Sequence, residues 1–228
     1  MTRHATLALA LAAACASPAL PAKEPALGFY VGAGLGQSSW RSNYASQVDG
    51  AYEGTGFTVD VASVTDDSDT AWKAYGGWRF HPYGAIEAGW LDFGRARTHY
   101  EIGVPNIGPA VRDGRYRLSG AELSAAGVMP VGDRATVFAK AGALFSELDY
   151  DESGANQFGE PGSFAHTNRQ TLFLWGIGGT FEIVDTLALR LEWQRAEDAG
   201  ERFALNDSGN GRFEHVDVVS LSLQWRFR

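Results

Sequence analysis

The chain has 228 residues, a formal net charge of −8, 28 glycines, 12% aromatic residues and one cysteine. An acidic chain lacks the basic face that nucleic acid demands, and a lone cysteine closes no internal disulfide, so stability comes without covalent staples. The charge does not argue against a membrane if the chain is a β-barrel, which keeps its charges in loops and lumen.

Arg3 and His4 precede an apolar, alanine-rich run at residues 5–16, followed by small residues. This is the pattern of a secretory signal peptide. Residues 1–22 are expected to be removed, with cleavage after Ala16 or Ala22. The run is shorter than the roughly 20 residues of a spanning helix. Cys15 lies within it, but Ala12 stands where a lipoprotein signal carries a larger aliphatic residue.

Residues 27–228 then show two-residue alternation, the mark of strands with unlike faces. Phe29, Val31, Ala33 and Leu35 alternate with Tyr30 and three glycines. Trp72, Ala74, Gly76, Trp78 and Phe80 alternate with Lys73, Tyr75, Gly77 and Arg79. Ile86, Ala88 and Trp90 flank Glu87 and Gly89, and Ala121, Leu123 and Ala125 flank Glu122 and Ser124. Four clearer segments follow: from Val137 to Phe145 around Lys140, from Phe173 to Phe181, from Leu187 to Trp193 around Arg190 and Glu192, and from Val219 to Phe227. Eight segments of about ten residues, the length of a tilted transmembrane strand, predict an all-β fold: an eight-stranded, antiparallel, up-and-down transmembrane β-barrel.

Short turns are expected at 81–84, 130–133 and 184–186, and long polar loops at 41–69, 94–115, 147–169 and 196–213. Alternating short and long connections fit periplasmic turns and extracellular loops. With the first strand running outward, Phe29, Trp78, Phe80, Phe181, Trp225 and Phe227 gather at the periplasmic interface, and Trp72, Phe145, Phe173, Trp175 and Trp193 at the outer one. Two aromatic belts at headgroup level are therefore expected. A soluble eight-stranded barrel would place its apolar face inside, where so many Trp and Phe side chains find no room.

The same parity points Lys73, Arg79, Lys140, Arg190 and Arg226 into the lumen, together with Glu87, Glu122, Glu182 and Glu192. An eight-stranded lumen is just wide enough for side chains, and an unpaired charge there is costly. These nine residues are expected to form an ion network that plugs the barrel.

This pattern resembles the transmembrane domain of the outer-membrane protein A and X family. The likeness is most specific in Gly-Gly-Thr-Phe-Glu-Ile (178–183), Leu-Arg-Leu-Glu-Trp-Gln (189–194) and Ser-Leu-Gln-Trp-Arg-Phe (222–227). The last resembles the signal read by the barrel assembly machinery, although Arg228 follows the terminal aromatic. The resemblance implies residence in the outer membrane of a Gram-negative bacterium, among lipid and lipopolysaccharide. The peptidoglycan-binding domain of the longer A-type members is expected to be absent.

No enzymatic residue set emerges. His81, His99, His166 and His215 are expected in turns, loops or a strand end, without the Ser and carboxylate that acyl transfer requires. Acidic runs at Asp66, Asp67 and Asp69 and at Glu147, Asp149, Asp151 and Glu152 lack EF-hand spacing, so neither metal nor cofactor is expected. Tyr44, Tyr52 and Phe57 are candidates for partner contacts from a loop. The expected role is structural and surface-interacting, adhesin-like, through four long loops. A small passive channel is the alternative, and a lipid A-modifying enzyme a more distant one.

Overall fold

The computed structural model describes residues 27–42, 46, 49–50, 53–54, 58–104, 108–156, 158–200 and 213–227. The expected signal peptide therefore lies outside the described residues, as do Tyr44, Tyr52, Phe57 and most of the fourth expected loop. Among the described residues no helix is long and apolar enough to cross a membrane.

Among the described residues nine strands form one sheet: β1 (Gly28–Ser42), β2 (Thr58–Asp66), β3 (Ser68–His81), β4 (Gly84–Val104), β5 (Gly108–Val131), β6 (Ala135–Ala155), β7 (Pro161–Val184), β8 (Leu187–Ala199) and β9 (Phe213–Arg226). Eight of them close into an antiparallel ring in the order β1-β3-β4-β5-β6-β7-β8-β9, with β9 returning to β1. Closure removes the sheet edge and satisfies wall peptide groups without water. The seam is in register from Tyr30↔Arg226 to Trp40↔Val216, and Phe227 N–H donates to Phe29 O at 3.0 Å.

The strand faces follow the alternation. Phe29, Leu35, Leu123, Phe173, Leu191 and Leu223 are each at least half exposed on the outside, while Tyr30, Lys73, Glu122 and Arg190 are buried inside. Pro82-Tyr83 and Asp185-Thr186 make the first and third tight turns, and residues 132–134 the second. Pro130 and Val131, expected in the turn, are thus the last two residues of β5.

The long connections depart from expectation. Residues 94–115 and 147–169 are mostly strand, because β4 to β7 run 21 to 24 residues, about twice what a bilayer requires. Their surplus forms a wall above the membrane band, and β2, expected as loop, pairs along β4 from Thr58↔Gly103 to Asp66↔Arg97. His99 and His166 accordingly sit on strands rather than in loops.

The polarity of the faces inverts along these tall strands. On β6, Phe145 is the last large apolar residue facing out; beyond it Glu147, Asp149 and Asp151 face out while Leu148 and Tyr150 are buried inside. Strand parity is unchanged; the surroundings of the outer face have changed from apolar to aqueous.

On β4 the switch needs a bulge. The β4–β5 register shifts between Asp92 and Arg95, and Gly94 adopts φ 73°, the left-handed region that suits glycine. Asp92 Oδ1 accepts Gly94 N–H at 2.8 Å and Asp69 Oδ2 accepts Arg95 N–H at 2.8 Å. A Cβ on Gly94 would lie 2.7 Å from Thr70 O. The bulge moves the outward face of β4 from even to odd residues, so Arg95 and Arg97 face out and Ala96 is buried.

Gly94→Ala should lower stability by about 2 kcal/mol, combining strained backbone with steric conflict. Gly132→Ala, at φ 66° but in open space, should cost only about 1 kcal/mol. Urea unfolding of the lipid-reconstituted barrel separates the two, and equal losses would show that crowding at the bulge is unimportant.

Candidate functional site

The middle of the lumen holds six buried charges, three of each sign: Lys73, Lys140 and Arg190 with Glu87, Glu122 and Glu192. Arg190 meets Glu87 through two parallel contacts, Nη1–Oε1 at 2.5 Å and Nη2–Oε2 at 2.9 Å, the bidentate geometry of strong charge-assisted bonds. Its Nε also donates to Glu192 Oε2 at 2.9 Å. Lys73 Nζ donates to the same oxygen at 2.7 Å and to Gln194 Oε1 at 2.7 Å. Lys140 Nζ lies 2.8 Å from Glu192 Oε1, 2.9 Å from Glu122 Oε1 and 3.6 Å from Glu87 Oε2. Gln194 Nε2 closes the circuit onto Glu122 Oε2 at 2.9 Å.

Aromatic rings set the walls of this cluster. Tyr30 OH donates to Glu87 Oε1 at 2.7 Å. The Arg190 guanidinium lies 4.7 Å from the Tyr75 ring centre and 4.1 Å from that of Phe138, within cation–π range. The rings fit because their cross-strand partners are glycines: Tyr75 opposite Gly32, Tyr30 opposite Gly77 and Phe138 opposite Gly178. A Cβ at Gly32 or Gly77 would fall inside the facing tyrosine ring.

The remaining three of the nine sequence-selected lumen residues lie apart. Arg226 Nη2 pairs with Glu182 Oε1 at 2.8 Å in a less buried position. Arg79 is buried, and its Nη1 has no hydrogen-bond partner among the described residues. Gln194, Tyr30, Tyr75 and Phe138 were not selected from the sequence. A period-2 reading gives their direction but not the reach of their side chains.

Further out, the lumen is apolar. A buried cluster draws on all eight ring strands and includes Trp40, Phe93, Tyr116, Leu144, Leu174 and Phe213. Phe213 meets Trp40 edge-on at 4.9 Å and Tyr116 at 5.0 Å. Above this cluster Glu152 is buried, receiving Arg112 Nε at 3.0 Å and the hydroxyls of Tyr100 and Tyr150. Ala96, Leu148, Tyr150, Ala196, Ala199 and Phe213 of this layer fall in stretches expected as loops, because apolar residues here face inward, opposite to their direction in the bilayer band.

The outward aromatics also have partners. Phe29 stacks on Trp78 at 6.0 Å, and Trp78 lies 5.8 Å from Phe80. Trp175 meets Trp193 edge-on at 4.8 Å at the other end. Phe181, Trp225 and Phe227 are half exposed toward the same end of the barrel as the first group, and Trp72, Phe145 and Phe173 are similarly exposed toward the other.

Among the described residues no three acidic, histidine or cysteine side chains converge on a metal-sized site. Glu147 pairs with Arg169 at 2.9 Å and Asp149 accepts Thr167 Oγ1 at 2.8 Å. His99 Nδ1 faces Asp113 Oδ1 at 2.8 Å in an exposed pair.

Truncating Glu192 removes the carboxylate partner of buried Lys73 and one partner each of Lys140 and Arg190. Glu192→Ala should therefore cost about 3–5 kcal/mol, whereas Arg169→Ala, which opens an exposed pair, should cost at most about 1 kcal/mol. Matching urea midpoints for the two variants would remove the cluster from any role in stability.

The sequence profile of the OmpA-like transmembrane domain matches residues 25–228. Outer membrane protein A of Shigella dysenteriae is 27% identical over 177 residues, covering 78% of this chain and 43% of the relative. Its namesake from Escherichia fergusonii is 27% identical over 173 residues, covering 76% and 42%. The chain thus spans under half the length of these relatives. The crystal structure of OprG from Pseudomonas aeruginosa superimposes with a TM-score of 0.50 at 12% identity, covering 89% of this chain and 97% of that one; at that identity the likeness shows the fold. The profile match over the barrel and the closed ring of eight strands agree: the chain belongs to the OmpA-like transmembrane domain family and resides in the outer membrane of a Gram-negative bacterium.

Proposed function

We propose that this barrel is a non-conducting, non-enzymatic surface protein whose tall β4–β7 wall carries contact sites away from the membrane, an adhesin-like role. The observation that carries the reading is the tip of the β6–β7 hairpin. Phe158 is 69% exposed there, and hydrogen bonds tie its backbone to Asn156 and Asn156 to Glu160. Asn156 Oδ1 accepts the N–H groups of Phe158 at 3.0 Å and Glu160 at 2.9 Å, and Asn156 Nδ2 donates to Glu160 Oε2 at 3.0 Å. A large apolar ring held out on a preformed turn binds with little ordering cost.

A closed lumen is supported by the neutral six-charge cluster and by the apolar layer outside it. Charges that leave no net field and aromatic packing across the full ring oppose an ion path. The outward aromatics serve as anchors at the two headgroup levels. Residues 1–22 act as the exported leader, and the terminal strand ending on Phe227 engages the barrel assembly machinery.

Bacteria displaying the chain should adhere several-fold better than the empty strain. Phe158→Ser should remove most of that gain while surface display and heat-modifiable migration in SDS stay unchanged. Adherence independent of Phe158 would defeat the proposed role of the tip. In planar bilayers the purified barrel should show no reproducible open state; a stable conductance would favour the channel reading.

A further inference from the structure

Below the apolar layer the inward face carries five cations, Lys73, Arg79, Lys140, Arg190 and Arg226, against four carboxylates, Glu87, Glu122, Glu182 and Glu192. Six of these nine make the neutral cluster and Arg226 pairs with Glu182, so the surplus positive charge belongs to Arg79. Arg79 is 7% exposed, its Nη1 has no hydrogen-bond partner, and it makes no ion pair among the described residues. Its neighbours explain why. Across the strand pairs it faces Gly28 on β1 and Ala85 on β4, neither of which has a side-chain acceptor. Two residues away along β3 stand Gly77 and the exposed His81, whose Nδ1 already accepts Tyr83 N–H at 3.2 Å. Further round the wall, Ala85, Ala126, Val128 and Phe138 form a buried apolar cluster. Glu87 is committed to Arg190 and to the Tyr30 hydroxyl.

Water can satisfy a guanidinium N–H but cannot cancel its charge, and a buried cation without a counter-charge is costly. A counter-ion for Arg79 then has to come from solution. Arg79 lies two residues from the end of β3, at the end of the barrel that carries the tight turns, which faces the periplasm in barrels of this kind. The neutral cluster and the apolar layer stand between it and the opposite end. At its own end Arg226 and Glu182 are partly exposed, with side chains at 12% and 18%. A Cβ added to Gly28, beside Arg79, would meet only Phe227 O, at 3.7 Å, among the described residues. The space next to the guanidinium is thus not filled by protein. A guanidinium presents paired N–H donors that match the oxygens of an oxyanion.

We propose that Arg79 anchors a site for a small oxyanion at the tight-turn end of the lumen, filled from the periplasm by an ion such as inorganic phosphate. The bound ion supplies the negative charge that the lumen wall lacks. Gly28 and Ala85 are part of the site, because their small side leaves the ion room beside the guanidinium. The site does not require the lumen to conduct, since the charge cluster lies beyond it.

The test uses the full chain folded in non-ionic detergent and titrated with inorganic phosphate at fixed ionic strength, followed by the phosphorus NMR line width. The wild-type protein should broaden the resonance saturably, and phosphate should raise its urea midpoint, as an ion that binds only the folded state must. Arg79→Met keeps the stem and removes the charge. It should weaken binding at least about tenfold, the loss expected for charge-assisted hydrogen bonds, and its urea midpoint should no longer respond to phosphate. R97Q/R115Q, altered on the outer wall, should bind as the wild-type protein does. Absence of saturable broadening with the wild-type protein would overturn the proposal, and this arm needs no variant to fold. Wild-type affinity in Arg79→Met would overturn it too. So would loss of binding in R97Q/R115Q, since the ion would then sit on the outer wall.

Discussion

In hydrocarbon there is no water to hydrogen-bond a peptide group, so a strand wall has to close on itself, and the β1–β9 seam is where this wall does so. Closure by only eight strands leaves an interior the width of a few side chains. Everything that points inward must then fit and must be electrically compensated. The three cations and three anions around Arg190 satisfy both demands at once, with Gln194 and Tyr30 taking up the remaining hydrogen-bonding capacity. The glycines opposite Tyr30, Tyr75 and Phe138 are the steric counterpart of that cluster. They give the rings a floor, and the rings in turn give Arg190 its stacking surfaces.

A second constraint is the change of medium along each tall strand. Within the bilayer band apolar residues must face out, while above it they gain by facing in. The strands keep their parity, so the chain changes composition instead: Phe145 outside gives way to Leu148 and Tyr150 inside. On β4 the chain also changes parity, through the bulge at Gly94. The consequences are an apolar layer in the outer lumen and an outward face that carries charge above the band.

Much of this was legible in advance because lipid imposes a strict two-residue code. Eight strands, their outward faces and the tight turns could be read from Phe29 to Phe227. The extension of β4 to β7 could not, because Arg95, Arg97, Glu147 and Asp149 look like loop residues to any rule that expects apolar side chains outside. Their alternation with Ala96, Leu148 and Tyr150 was present, with its polarity reversed. The grouping of lumen charges was equally hidden. Parity sends nine of them inward, but only the stagger of the closed ring puts Lys73, Glu87, Glu122, Lys140, Arg190 and Glu192 at one level and leaves Arg226 with Glu182.

By itself, the sequence determined the direction of each side chain in the bilayer band, since a strand between lipid and lumen repeats every two residues and a single slip would expose every charge to hydrocarbon. Only the tertiary structure decided which inward and outward residues meet. Ring closure sets the cross-strand register, and register is what brings Glu192, on β8, within reach of Lys73 on β3 and Lys140 on β6. The bulge at Gly94 then sets Arg95 and Arg97 against Arg117 and Arg115.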